Sequence, residues 1–354
     1  MRAEQLAAGH YRRRVALARR VATELRRLWS RVDRQAIGPS WQRLLPTAVQ
    51  VLTVGQERAA TVADEYVTAV LDASGVDADP AGRVRAAALA GVASDGRDLA
   101  GLLYRPAVTA LTGIGRGVDV SQALTGGGLL LDMVARTQVA DAGRVADGIA
   151  VVTRPQVTGY VRMLVGASCS RCVILAGRRY GWNAGFLRHP RCDCVHVPAR
   201  EDTADEVLTN PRTYFDSLTA TEQDRIFTQA GAQAIRDGAD ISHVVNARRG
   251  ARGLTPAGAR LTAAEARTLR GGRDRGRLEP VQVFGRDLLV TTEGTTTRGV
   301  AGIRLGARDT GTKRLGGRYR SARAPRLMPE SIYRIADGDR DEAIRLLRRY
   351  GYIL

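Results

Sequence analysis

The sequence predicts a mainly α-helical protein with a small α+β module at its centre that carries cysteine and histidine. Three observations predict it. Apolar residues recur at spacings of three and four through much of the first 128 residues. All four cysteines, with two of the four histidines, crowd into one short window. The last third sets a well-capped helix against a Gly/Arg/Thr-rich basic stretch. The expected organisation is a helical N-terminal part over residues 1–128, a compact central domain holding the Cys/His module over 129–200, and a third region over 201–354 with a capped helix and a basic C-terminal part.

In the first region Tyr11, Val15, Ala18, Ala22, Leu25 and Trp29 fall on one face of a helix. Arg12, Arg13, Arg19, Arg20 and Arg26 lie on its flanks and far side. Pro39 reads as a break, followed by a helix over about 47–73 that Ser74-Gly75 closes. A third helix is expected after Asp79-Pro80, where Asp can cap and Pro can occupy the first turn. Gly113-Ile-Gly-Arg-Gly117 and Gly126-Gly-Gly128 lack the spacing of a phosphate-binding fingerprint and read as breaks between short helices.

In the second region a helix runs from Leu129 to about Gly148, Thr153-Arg-Pro155 interrupts it, and the apolar segment Gln156–Val165 leads to Cys169. Tyr180, Trp182 and Phe186 suggest a small satellite core. The alternation from Cys192 to Val197 suits a short strand.

In the third region Thr219-Ala-Thr-Glu222 is a capping box. The helix it starts buries Ile226, Phe227, Ala230, Ala234 and Ile235 and stops at Gly238. Val281–Phe284 and Asp287–Val290 read as a β-hairpin around Gly285-Arg286, with loose chain from there to Pro329. A last helix is capped by Asp339, carries Ile344, Leu346 and Leu347 and stops at Gly351. The apolar end Tyr352-Ile353-Leu354 reads as a docked tail.

Composition sets the outer limits. A chain of 354 residues can hold two or three domains, and with 5% aromatics its cores are built from small aliphatics. No apolar run approaches the ~20 residues that span a bilayer, and the N-terminal residues lack the apolar core of a signal peptide. The expected setting is a cytoplasm, or something assembled there, with no membrane partner.

The cysteine window reads Cys169-Ser-Arg-Cys172 … His189-Pro-Arg-Cys192-Asp-Cys194-Val-His196. Two close pairs can fold onto one tetrahedral ion, so Cys169, Cys172, Cys192 and Cys194 are candidate ligands of a structural zinc. The tight C-x-C bite lets His189 or His196 replace one of them. The alternative is a reduced thiol cluster or one or two disulfides. Catalytic zinc is disfavoured: H-E-x-x-H is absent, and the deaminase pattern lacks its Glu and its Pro.

The formal charge is +18, and Lys313 is the one lysine among 54 basic residues. Residues 247–326 hold 18 Arg plus Lys313 against six acids, a net of +13, whereas 201–240 hold nine acids against three Arg, a net of −6. Local excess of this size is an electrostatic footprint for DNA or another polyanion; the alternative is a solvated tail. The candidate contacts are Arg248, Arg249, Arg252, Arg273, Arg275, Arg277, Arg318 and Arg320.

The order Ala135-Arg136-Thr137, Gly159-Tyr160, Cys169-x2-Cys172 and His189-Pro190-x-Cys192-x-Cys194 resembles the MuF-type minor head proteins of tailed phages, also called phage head morphogenesis proteins. Tyr214–Leu218, Gln233–Asp240, Val244–Arg249 and Arg326–Ile332 are similar to the actinophage versions. Two positions depart from the family: Gln138 stands where an acid is usual, and Gly166-Ala167-Ser168 stand where an Asp often precedes the first Cys. The resemblance implies a virion component of the capsid interior or portal vertex, assembled in the host cytoplasm. Its implied partners are the portal protein, the major capsid or scaffold protein, and packaged DNA.

The leading functional expectation is therefore a non-enzymatic minor capsid protein. One alternative is a capsid maturation protease or other virion enzyme, although Ser168 lacks a G-x-S-x-G context and His243, near Asp237 and Asp240, sits at a helix end. Another is a free-standing zinc protein that binds nucleic acid.

Overall fold

The computed structural model describes residues 2–77, 79–166, 168–182, 184, 194–199, 210–250, 280–283, 286–313 and 317–354. The chain is mainly helical, as the periodicity predicts. It forms two compact units, Met1–Ser168 with Leu175–Thr209, and Cys169–Ile174 with Asn210–Leu354.

Unit one is built on α1 (Ala3–Trp29), α2 (Ile37–Thr61), α3 (Ala63–Ala73), α4 (Leu99–Ile114) and α5 (Val120–Val152). The 33-residue α5 is the axis against which the other four pack. Its glycines are part of the reason. A Cβ on Gly127 would lie 2.7 Å from the Trp29 ring and 2.9 Å from the Pro106 carbonyl, so only glycine lets α1 and α4 come this close. Gly126-Gly-Gly128 is thus helix interior and not the predicted break; close packing outweighs glycine's low helix propensity. The core holds Leu25, Trp41, Leu52, Leu103 and Leu131, all fully buried. Trp29 and Trp41 meet edge to face at 5.0 Å, and their indole N–H groups donate to the carbonyls of Leu124 and Leu103.

The predicted helix boundaries shift in three further places. α2 begins ten residues early because Pro39 falls in its first turn, where a missing N–H costs nothing. Val62 then divides the expected 47–73 helix into α2 and α3. The stretch after Asp79-Pro80 is no helix apart from a single 3-10 turn at Ala86–Leu89; the next helix starts at Leu99, capped by Asp98. Tertiary partners take its backbone instead: Ala81 N–H donates to Thr153 O, Val84 N–H to the Asp64 carboxylate, and Gly91 N–H to Gln56.

After α5 the chain turns into β1 (Gly159–Leu164), later joined by β2 (Arg179–Gly181) and β3 (Cys194–Ala199). The sheet is antiparallel in the order β2-β1-β3, with Arg162 opposite His196 and Leu164 opposite Cys194. One face packs on α3 through Met163, Val195, Val197, Val67 and Val70. Tyr180 stacks on Tyr160 at 5.5 Å, as a satellite core would have it, but Trp182 is 53% exposed and Phe186 lies outside the described residues.

Unit two opens with the single turn α6 (Ser170–Val173). There follow α7 (Pro211–Asp216), α8 (Ala220–Phe227), α9 (Gln229–Arg236) and α10 (Ile241–Ala247). The capping box at Thr219 and Glu222 is formed. The single helix expected beyond it is broken at Thr228, whose φ of 67° is compensated by side-chain bonds to Gly231 N–H and Arg248. The hairpin of β4 (Val281–Val283) and β5 (Arg286–Leu288) matches the prediction; its turn lies outside the described residues.

The described part of 290–328 is ordered, contrary to the loose chain expected. β6 (Val290–Thr291) pairs with β9 (Arg326–Leu327), α11 (Val300–Arg304) lies between, and β7 (Thr312–Lys313) pairs with β8 (Arg320–Ser321). The elements are too short for periodicity to register. The unit closes with α12 (Pro329–Ala336) and α13 (Arg340–Arg349), the latter capped by Asp339. The tail docks: Tyr352 is fully buried, its hydroxyl donates to Leu327 O and its carbonyl accepts from Asp240 N–H.

Candidate functional site

In unit two a set of exposed cations gathers around a short hairpin. β7 and β8 place Lys313 directly opposite Arg320, a like-charge pair that costs stability in a hairpin. The loop bearing Arg298 is sewn to β8 by Thr297 N–H donating to Arg320 O. Arg298 and Arg318 bring their guanidinium groups to 5.4 and 5.7 Å from the centre of the Tyr319 ring. All four cations are exposed, and none forms an ion pair among the described residues. Such a surface can neutralise successive phosphates while Tyr319 offers a face for stacking.

The predicted contacts divide. Arg318 and Arg320 belong to this surface, and Arg249 is exposed beside α10. Arg248 is committed inside the unit, bonding Glu330 and Thr228. Arg252, Arg273, Arg275 and Arg277 lie outside the described residues. Arg298, Lys313 and Tyr319 were missed as individual contacts; only the hairpin turn, invisible to periodicity, brings them together. Arg326, counted in the basic excess, is 3% exposed and works as a clamp. Its guanidinium donates to the carbonyls of Glu293, Tyr350 and Gly351 and lies 4.1 Å over Tyr352. Burial pushes its pKa down, and it pushes that of the Tyr352 hydroxyl up.

The cysteine window divides as well. Cys169 stands at the N-terminal boundary of α6 and is exposed, while Cys172, three residues on and thus on the same side of that turn, is buried. Cys194 begins β3 of unit one, fully buried. His189 and Cys192 lie outside the described residues. Among the described residues no three Cys, His, Asp or Glu side chains form a metal-holding group. His196 is turned against the Tyr160 ring at 4.2 Å.

The positions considered for proteolysis have structural employment. Asp240 accepts from the His243 backbone N–H as a helix cap, and His243 Nδ1 meets Gly351 O at 2.9 Å. Tyr333, Gln233 and Arg340 hold Asp237; burial opposes its ionisation, and those bonds outweigh it to depress its pKa.

A third cluster, in unit one, is absent from the sequence reading. Arg14, on α1, donates from Nη1 to Asp147 Oδ2 on α5 at 2.6 Å, and His10 Nε2 donates to Oδ1 at 3.0 Å. Tyr66, on α3, stacks flat on His10 at 3.9 Å and donates its hydroxyl to His196 O on β3. All are buried. Burial alone would raise the Asp147 pKa, but Arg14 and the His10 bond hold it well below the usual carboxylate range. Burial, reinforced by Asp147, pushes Tyr66 well above its ordinary value. Continuing the α1 stripe backwards from Ala18 in steps of four reaches Arg14 and His10, which is the signal that could have found it.

The motif Ala135-Arg136-Thr137 lies on α5. Arg136 binds Asp132 through Nε and Nη2 at 2.7 and 3.1 Å. Gln138, where the resembled family has an acid, accepts from Ser94 N–H and donates to its hydroxyl. Its amide is therefore occupied in fastening the stretch before α4.

No curated protein and no solved structure matches the chain. The family model of the VG15 protein matches residues 1–221, more than half of the 354. That span takes in the five-helix axis and its motif arginine, the antiparallel sheet, the cysteine window and the start of the capped helices, and so the chain belongs to the VG15 family, a phage-associated family.

Proposed function

We propose that the protein is a non-enzymatic minor head protein of the MuF type, a component of head morphogenesis in a tailed phage. In this reading unit one attaches to the portal, or to the major capsid or scaffold protein, at the capsid interior or portal vertex. The surface around β7 and β8 faces packaged DNA. The observation that carries it is the set of exposed cations Arg298, Lys313, Arg318 and Arg320 around Tyr319, in a chain of a phage-associated family. A like-charge pair kept opposite itself across a hairpin makes physical sense where a polyanion supplies the missing charge. Cys169, Cys172, Cys192 and Cys194, or His189 in place of one, would hold a structural zinc, for which thiolate and imidazole are suitable donors.

Mass spectrometry of purified procapsids and virions tests the assembly reading: the protein should be present in both, and absence from both overturns it. DNA binding should be insensitive to sequence. It should fall with salt with a log–log slope of about −3 to −4, as about four phosphate contacts require. Reversing Arg318 and Arg320 to Glu should flatten that slope by about two, without lowering the melting temperature, since a glutamate at position 320 would face Lys313 with the opposite charge. A consensus binding site or a salt-independent affinity would contradict it.

A further inference from the structure

The groove between α1 and α5 in unit one has a chemistry that neither the family nor the DNA surface accounts for. It contains a cavity of about 340 Å³, in which Arg14, Arg19, Arg136 and Arg144 surround Val15 and Ala18. A second cavity of about 580 Å³ shares Asp132 and Arg136 with the first. It adds Arg26 and Arg34 beside Trp29 and Leu129.

The groove carries more positive charge than its acids neutralise. Its six arginines meet three acids: Asp147 holds Arg14, Asp132 holds Arg26 and Arg136, and Asp141 holds Arg144. The local balance is six minus three, or +3. Arg19 and Arg34 are exposed, with no acidic partner among the described residues. Arg14 is only 5% exposed, and its Nη2, buried, has no hydrogen-bond partner. A buried charged N–H left unmade is costly, and an arriving oxyanion removes the cost. Leu129, in the middle of α5, is nevertheless 63% exposed, a large apolar side chain beside the cations.

We propose that this groove receives an acidic, leucine-bearing segment of a partner protein, the unsatisfied Nη2 of Arg14 taking one of its carboxylates. A peptide fits better than nucleic acid for two reasons. Its side chains can cover the exposed Leu129, which a phosphate backbone cannot. It can also place a neutral residue at Asp132, where a continuous row of phosphates would meet a carboxylate. The proposal supplies the attachment chemistry for the reading above and rests on it only for where the partner is found.

Fluorescence anisotropy on the full chain tests it, with a labelled peptide of repeating Glu-Glu-Leu-Leu, an oligoglutamate of equal length and a single-stranded oligonucleotide. The leucine-bearing peptide should bind at least about tenfold more tightly than oligoglutamate, the ratio that burying one leucine supplies. Arg19→Glu and Leu129→Glu, both at exposed positions, should each weaken it about tenfold. Arg318→Glu with Arg320→Glu should leave it unchanged. Arg14→Gln should weaken it too, but it strands Asp147, so its folding is checked by circular dichroism and the exposed variants decide. Equal binding of oligoglutamate, equal binding of the oligonucleotide by the Arg318→Glu, Arg320→Glu variant, or full binding of the peptide by Arg19→Glu and Leu129→Glu, overturns the proposal. Absence from virions would sink the assembly reading while leaving these affinities intact.

Discussion

Asp147 joins α5 to α1 through two buried bonds. Its carboxylate is the counter-charge of a buried guanidinium and the acceptor for His10, on which Tyr66 stacks. Asp147→Asn leaves Arg14 buried without an anion, and thermal or urea unfolding should show a loss of about 3–5 kcal/mol. Because the folded pKa lies below the unfolded one, the carboxylate's contribution is complete above the unfolded value of about 4 and is lost as pH falls below it. Stability of the native protein should therefore drop between about pH 5 and pH 2, and the Asn variant should show a shallower fall over that interval. Equal pH profiles for the two proteins would contradict this. At the cysteines the expected result is compositional. Purified protein should contain about one zinc per chain, lost on Cys172→Ser together with local structure, and full thiol reactivity without metal would count against it. The thiols were plain in the sequence because cysteine is rare there. The Arg14–Asp147 pair was not, because charged residues on a helix read as solvent-facing until the partner helix is placed.

At the scale of elements, the helix caps and stops written in local chemistry were legible. Thr219 with Glu222, Asp339 with its helix, and Gly351 all act as their residue types dictate. The errors came where a distant partner decides. Gly126 and Gly127 separate the two influences within one turn of α5. A Cβ on Gly126 meets nothing, whereas one on Gly127 runs into Trp29 and Pro106. Gly126→Ala should stabilise the protein by about 0.5–1 kcal/mol through helix propensity. Gly127→Ala should destabilise it by about 1–3 kcal/mol. Paired melting curves check the opposite signs; two stabilising shifts would show that helix propensity alone governs this turn, and two destabilising ones that Gly126 is also packed. The 79–98 stretch failed as a helix for the same kind of reason, since Asp64, Gln56 and Gln138 claim its N–H groups from three other places in the chain.

For the whole molecule, the mainly helical class and the phage association were both legible, the first from periodicity and the second from motif order. The packing of unit two was not, because its short strands pair across long separations: β6 with β9, and Tyr352 with Leu327 and Asp240. Those separations carry a further meaning. Thr291 donates its hydroxyl to Ala247 O, and Arg248 binds Glu330, so both flanks of the stretch between residues 250 and 280 are tied to the same body. The last residues are tied into that same body, for Arg326 donates to the carbonyls of Tyr350 and Gly351, and Tyr352 reaches Leu327 and Asp240. An affinity domain spliced between Arg326 and Leu327 should part this clamp from its strand and unfold the unit, which a melting curve of the fused protein checks. The tail works as a keystone: loosening it should release elements far upstream in the chain.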